Sequence, residues 1–311
     1  MAGVNVGVAQ AAARRALDKV FYLEFDYPSI PGLAQVDNAG VFRQETHDRN
    51  VVVTEQYMGP GYFQERAEQQ DVPSAPIEVG NRQTISILNY ANSVDISKNF
   101  FDDDQHAVVR NVIADMGRKA KLTRDKDGFN LYNLSFTTAL SNDAVSIFNN
   151  SHVTLKGGTV DNLETGTLTP ANFETMYVSL VQQKTQDETL GGHNPATLLV
   201  PPTLFPDAQE ITKSELQPGT GNNNANWVSL IYPGLRVMQT PFVSSAFSGS
   251  NTAWFVLSRN HGFTRWVRQG IETRLIPWEN QRNNNYIYKA EYREAYAAPT
   301  WEGSAGSTGA V

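Results

Sequence analysis

Residues 58–81, MGPGYFQERAEQQDVPSAPIEVGN, lie between two segments with strand-like alternation, NVVVTEQY at 50–57 and RQTISILNY at 82–90. A structureless connection inside a compact domain rarely exceeds about 12 to 15 residues, and this one is about twice as long. Gly59, Pro60, Gly61, Pro73, Pro76 and Gly80 keep it from forming a helix or an inner strand. Tyr62, Phe63, Val72 and Ile77 give it an apolar content that disordered linkers lack. Such a chain is expected to project a hairpin whose tip packs on another molecule, with a flexible lid or linker as the alternative.

The N-terminal region points the same way. Residues 8–22 can form a short amphipathic helix, but DYPSIPGLAQVDNAG follows, where Pro28, Pro31, Gly32 and Gly40 prevent regular structure. The helix is therefore expected on an extended arm that lies on something other than its own neighbours in sequence. No long apolar run follows a basic start, so the segment is not a signal peptide, and no stretch approaches the roughly 18 apolar residues of a membrane helix.

A long helix is predicted from DQHAVVRNVIADMGRKAKLTRDKDGFNLYNLSF, with Asp103 or Asp104 capping its first amides. Val109, Ile113, Met116 and Ala120 form an apolar stripe that Val108 and Val112 widen, and Asp127-Gly128 is a possible break. Arg118, Lys119, Lys121, Arg124 and Lys126 make the one basic cluster, which the interspersed acids mark as a solvated or salt-bridged helix face. Gly157-Gly158 is a plausible hinge, after which helix and strand alternate with short connections. Thr169 and Pro170 start a helix with Phe173, Met176, Tyr177, Leu180 and Val181 as its stripe. PATLLVPP, GLRVMQTPFVSS, TAWFVLS and FTRWVRQGIETRLIPW follow as strands, and QPGTGNNNAN at 217–226 is a loop without a large hydrophobe. The chain then closes on a long hairpin. Its second strand puts Tyr286, Tyr288, Ala290, Tyr292, Glu294 and Tyr296 on one face, and Ile287, Lys289, Glu291, Arg293 and Ala295 on the other.

No chemical site emerges. The five histidines are scattered singly and there is no cysteine, so thiolate metal sites and cysteine nucleophiles are excluded. No phosphate loop, dinucleotide fingerprint or Gly-x-Ser-x-Gly elbow occurs. A formal charge of -7 argues against a dedicated nucleic-acid binder. No catalytic, cofactor-binding or metal-ligating residue is assigned, and no cofactor is expected.

The order of parts, an arm, a projecting hairpin, one long helix, a compact lobe and final long strands, resembles the major capsid proteins of tailed bacteriophages, the Hong Kong 97-type fold. ISILNYANSVDISKNFFDDDQHAVVRNVIADM is similar to that family's loop return strand running into its spine helix, and PATLLVPPTLFPDAQEIT to the strand-then-helix of its axial domain. The resemblance implies an α+β chain divided into an N-terminal arm (1–45), an extended loop (46–92), a peripheral domain with the spine helix (93–157), an axial domain (158–262) whose loop 217–226 faces a capsomer axis, further peripheral strands (263–301) and a flexible tail (302–311). It implies a shell subunit of the virion that assembles with itself, as hexamers and pentamers, around double-stranded DNA in the host cytoplasm, and that is not an enzyme. Portal and decoration proteins are implied as partners; a separate scaffolding protein is expected because only about 45 residues precede the loop. Contacts between subunits are expected at Tyr22, Phe25, Tyr62, Phe63, Arg66, Val72, Ile77, Tyr288 and Tyr292. The loop has no lysine between Lys19 and Lys98, so the lysine cross-link of some family members is not expected from it. An encapsulin-type nanocompartment, or a β-rich hydrolase with 58–81 as its lid, are the alternatives.

Overall fold

The computed structural model describes residues 6–26, 32–74, 77–102, 106–216, 224–280 and 283–310. The expected helix cap at Asp103 or Asp104 and the loop tip at 217–223 lie outside those residues. In chain order the elements are α1 (Val6–Phe25), β1 (Arg43–Thr46), β2 (Val51–Met58), β3 (Glu78–Ser86), β4 (Leu88–Ser97), α2 (Lys98–Asp102), α3 (His106–Leu134), β5 (His152–Val153), β6 (Thr159–Val160), β7 (Leu163–Glu164), α4 (Pro170–Gln182), β8 (Pro195–Val200), α5 (Phe205–Lys213), α6 (Trp227–Ile231), β9 (Arg236–Gln239), β10 (Trp254–Ser258), β11 (Thr264–Ile276), β12 (Asn285–Ala297) and β13 (Ser304–Ser307).

One sheet has the order β1-β11-β12-β4, and β12 is antiparallel to both β11 and β4. Burial alternates along β12 as its sequence does: Tyr286, Tyr288, Ala290 and Tyr292 are buried, and the residues between them are half-exposed. That aromatic face packs on helices of the same chain, where Tyr286, Tyr288 and Ala290 join Leu17, Phe21 and Phe25 of α1 with Val109, Ile113 and Met116 of α3. The opposite face is covered near its end by the root of the β2-β3 hairpin, through Val52, Ile85, Ile87, Trp266, Ala295 and Ala297.

Helix α3 runs 29 residues, about 43 Å at 1.5 Å per residue, and passes Asp127-Gly128 without a break. Both of its glycines serve close approach. A Cβ on Gly117 would lie 2.4 Å from the carbonyl oxygen of Phe21, and one on Gly128 would lie 2.3 Å from Val36 Cγ1. At Gly117 the helix is crossed by α1; at Gly128 it is crossed by the segment that follows α1. Its buried stripe is narrower than expected, since Val109, Ile113 and Met116 are buried but Val108 and Val112 face outward.

The second sheet, β7-β13-β10-β8-β9, belongs to the lobe that follows α3. TLLV and WFVLS are continuous apolar runs because β8 and β10 are covered on both faces. Leu198, Val200, Trp254 and Val256 face α4 and α5, whereas Leu199, Phe255 and Leu257 face a core shared with Phe42, Phe129, Tyr132, Phe148 and Phe263. Thr169 caps α4, accepting from the Asn172 amide at 3.2 Å, with Pro170 in the first turn.

Three expectations change. Gly157, at φ +91°, closes the tight β5-β6 turn and is not a hinge, and the aromatic core spans the junction between the two sheets. Residues 302–310 are not a flexible tail: β13 pairs with β10 on one side and β7 on the other, and Ser304–Ser307 is fully buried. The amphipathic helix near the N-terminus does not wait for a neighbour, because Leu17, Phe21 and Phe25 find their apolar surroundings within the chain.

Candidate assembly interface

The β2-β3 hairpin is anchored at its root. Besides the apolar patch under Val52 and Ile85, Thr54 Oγ1 lies 3.3 Å from Asn142 Oδ1 and Gln83 Nε2 donates to the Leu140 carbonyl at 3.0 Å, while within the hairpin Gln56 Oε1 accepts from the Asn81 amide at 3.3 Å. Beyond Met58 the described chain has no helix or strand until Glu78. There Tyr62, Phe63, Val72 and Ile77 are exposed, Phe63 at 106% and Ile77 at 86% of their reference areas. Tyr62 makes one anchoring contact, its hydroxyl accepting from the Leu190 amide at 2.9 Å, and Arg66 Nε donates to the Gln70 carbonyl within the loop. Burying one such side chain fully is worth roughly 1.5–3 kcal/mol. Four large apolar side chains exposed on one projecting loop suit it to an interaction with another surface.

The other predicted contact residues are brought together elsewhere, inside the molecule. Phe25, Tyr288 and Tyr292 are buried and Tyr22 is half-buried. Tyr22 donates to the Ile271 carbonyl at 3.2 Å, Tyr288 to Asp18 Oδ1 at 2.9 Å, and Tyr292 stacks on Tyr90 at 4.9 Å between ring centroids. Phe25, Tyr288 and Tyr292 are core of this chain, so the expected intersubunit role is corrected for these three, while Tyr22 keeps part of its surface exposed. Period-two reading identified the face they share but not what covers it.

A buried charge cluster holds the segment after α1 against the sheet, and sequence reasoning missed it. Glu294 accepts from Arg124 Nε at 3.1 Å, from Arg265 Nε at 2.9 Å and Nη2 at 2.6 Å, and from the Tyr296 hydroxyl at 2.5 Å. Asp37 bridges the same two guanidinium groups from the surface side, 2.9 Å from Arg124 Nη2. Burial disfavours the Arg124 charge, but Glu294 and Asp37 outweigh it and hold the guanidinium above its ordinary pKa. Of the basic cluster on α3, Arg124 has thus turned inward, while Arg118 pairs with Glu24 at 2.8 Å and Lys119 with Asp115 at 2.7 Å on the surface. The available signal was Glu294 itself, the one charge on a face otherwise composed of tyrosine and alanine.

Next to the cluster, Asp125 Oδ1 accepts from the Val36 amide at 3.0 Å. Burial pushes the Asp125 carboxyl up to about 6, opposed by that amide and by Lys121. Because the folded value lies above the unfolded one, the native state keeps a proton that the unfolded chain releases, and stability is lost as pH rises from about 4 through 6. Asp125→Asn keeps the acceptor and removes the charge. It is expected to stabilise the subunit on the order of 2 kcal/mol at pH 7.5, with little gain at pH 4, as checked by thermal melts across that range.

Among the described residues no group of three or more His, Cys, Asp or Glu side chains is placed to hold a metal ion, and no helix is long and apolar enough to cross a membrane.

The sequence model of a family described as phage capsid protein matches residues 81–305, well over half of the chain. No curated protein matches. Among solved structures, the capsid of Myoviridae phage XM1 is similar over 91% of this chain and 94% of its own, with 11% identity and a TM-score of 0.50. The capsid of cyanophage P-SCSP1u covers 91% and 90%, with 10% identity and a TM-score of 0.56. A virus-like particle from Pyrococcus furiosus covers 94% and 98%, with 7% identity and a TM-score of 0.54. At such identities these likenesses speak for the fold, which is the Hong Kong 97-type.

Proposed function

Because this chain belongs to the phage capsid protein family, and is thus a capsid shell protein, we propose that it is the subunit whose hexamers and pentamers close an icosahedral head around double-stranded DNA. Membership of that family favours the shell reading over the hydrolase alternative. The observation that carries the finer reading is the loop between β2 and β3. Among its described residues Tyr62, Phe63, Val72 and Ile77 are largely exposed in the subunit, and a shell provides their cover on a neighbouring copy. A chain of net charge -7 encloses DNA without gripping it, since phosphates are repelled and not neutralised. Scaffolding, portal and decoration proteins complete the proposed set of partners, with assembly in the host cytoplasm.

Electron microscopy of the purified protein tests this directly: closed particles containing DNA support a phage head, particles filled with protein point to a cargo compartment, and monomers alone refute both. Substitution of Phe63 and Ile77 by glutamate is expected to abolish particles while leaving the subunit's melting temperature unchanged, because neither ring nor aliphatic chain is packed in the subunit. Sedimentation velocity reads the first effect and thermal denaturation the second.

A further inference from the structure

We propose that the outer edge of β4 is a self-pairing edge, which joins antiparallel to β4 of a second copy across a twofold axis and merges two four-stranded sheets into one of eight. The proposal rests on the self-assembly reading above and names one surface through which it proceeds.

β4 hydrogen-bonds to β12 on one side, and among the described residues no strand pairs with its other side. Soluble proteins blunt such edges with lysine, proline, bulges or short strands. This edge has ten residues, LNYANSVDIS, without proline, glycine or lysine and with Asp95 as its only charge. Its backbone orientation is fixed by one contact: the Ser93 amide donates to Asn92 Oδ1 at 2.8 Å, so Ser93 does not bond to its partner Lys289. Antiparallel pairing alternates, and residues 89, 91, 93, 95 and 97 therefore present their amides and carbonyls outward.

The side chains select a partner. In a twofold pair centred on Asn92, Ala91 faces Ser93, Tyr90 faces Val94, Asn89 faces Asp95, and Leu88 faces Ile96 of the other copy. Every match is compatible: aromatic with β-branched, aliphatic with aliphatic, amide with carboxylate. The two Asp95 carboxylates fall at opposite ends and never meet. The outward-bonding residues 91 and 93 form the hydrogen-bonded pair that an antiparallel ladder requires, so the backbone admits the register that the side chains favour. Leu88, 55% exposed in the subunit, gains cover in that register.

The chain has no cysteine, so introduced thiols report without background. On the twofold axis two copies of residue 92 form a non-hydrogen-bonded pair with Cα atoms about 4.5 Å apart, within disulfide reach. Assembled Asn92→Cys particles, mildly oxidised, are expected to run as covalent dimers on a non-reducing gel. Asn89→Cys alone is expected to stay monomeric, and Asn89→Cys combined with Asp95→Cys to dimerise. If intact particles form and neither Asn92→Cys nor the double variant cross-links, or if Asn89→Cys cross-links by itself, the edge is occupied otherwise and the proposal fails. If Asn92→Cys blocks assembly, the double variant reads the same register. Failure of the unaltered chain to form particles overturns the assembly reading instead, so the two failures are distinct.

Discussion

Glu294→Ala is expected to destabilise the isolated subunit by about 3–5 kcal/mol, the cost of breaking a buried ion pair from one side. Glu294 is 1% exposed and takes hydrogen bonds from two guanidinium groups and one phenol. Without it, Arg124 and Arg265 confront each other with a single half-exposed partner, Asp37, and one positive charge is left uncompensated away from water. A domain's whole stability is about 5–15 kcal/mol, so this one change removes a large share. Urea unfolding of disassembled subunits is the measurement, with a lower midpoint at unchanged slope as the expected result. Replacing Arg124, Arg265 and Glu294 together by methionine, methionine and leucine is expected to recover most of the loss, since the three buried charges of the cluster are then removed together. A loss below about 1 kcal/mol for the single change would mean that water reaches the cluster.

The second large effect is expected at Gly117. A side chain there meets the backbone oxygen and carbon of Phe21, at 2.4 and 3.2 Å from the Cβ, and backbone cannot swing aside as a flexible side chain does. Gly117→Val thus forces α1 off α3 and uncovers Leu17, Phe21 and Phe25. Each is worth roughly 1.5–3 kcal/mol when fully buried, and a net loss of about 2–4 kcal/mol is expected after partial relaxation. Trypsin is expected to cut at Arg14, Arg15 or Lys19 in the variant and not in the unaltered chain. Helix propensity acts in the opposite direction, by about 1 kcal/mol for Gly117→Ala. A loss with alanine therefore isolates the steric term.

Where the fold was legible, a local rule sufficed. Thr169 and Pro170 announce α4 because capping and the proline's fixed φ act within one turn. The two faces of β12 follow from its period of two, and the apolar runs of β8 and β10 from their burial on both sides. The loop at 58–81 stood out because its aromatics contradict its length. What stayed hidden depends on closure between distant residues. Nothing near Arg124 in sequence separates it from Lys121 or Lys126; only Glu294 and Arg265, 170 and 141 positions away, turn it inward. Gly117 and Gly128 resemble helix breakers until Phe21 and Val36 lie against them. SAGS at 304–307 has no large side chain, so it has no hydrophobic signature of a central strand; its burial comes from small residues that let Phe148 approach Gly306.

That last strand bears on how the polypeptide leaves the ribosome. β7, β8, β9 and β10 are all synthesised before β13, yet β13 sits between β7 and β10 and links them. Until residues 304–307 emerge, β7 has no place in the sheet and the nascent lobe keeps an open slot. Translation thereby passes the end of β12 before the earlier lobe can close, which ties completion of both halves of the subunit to the emergence of one short strand.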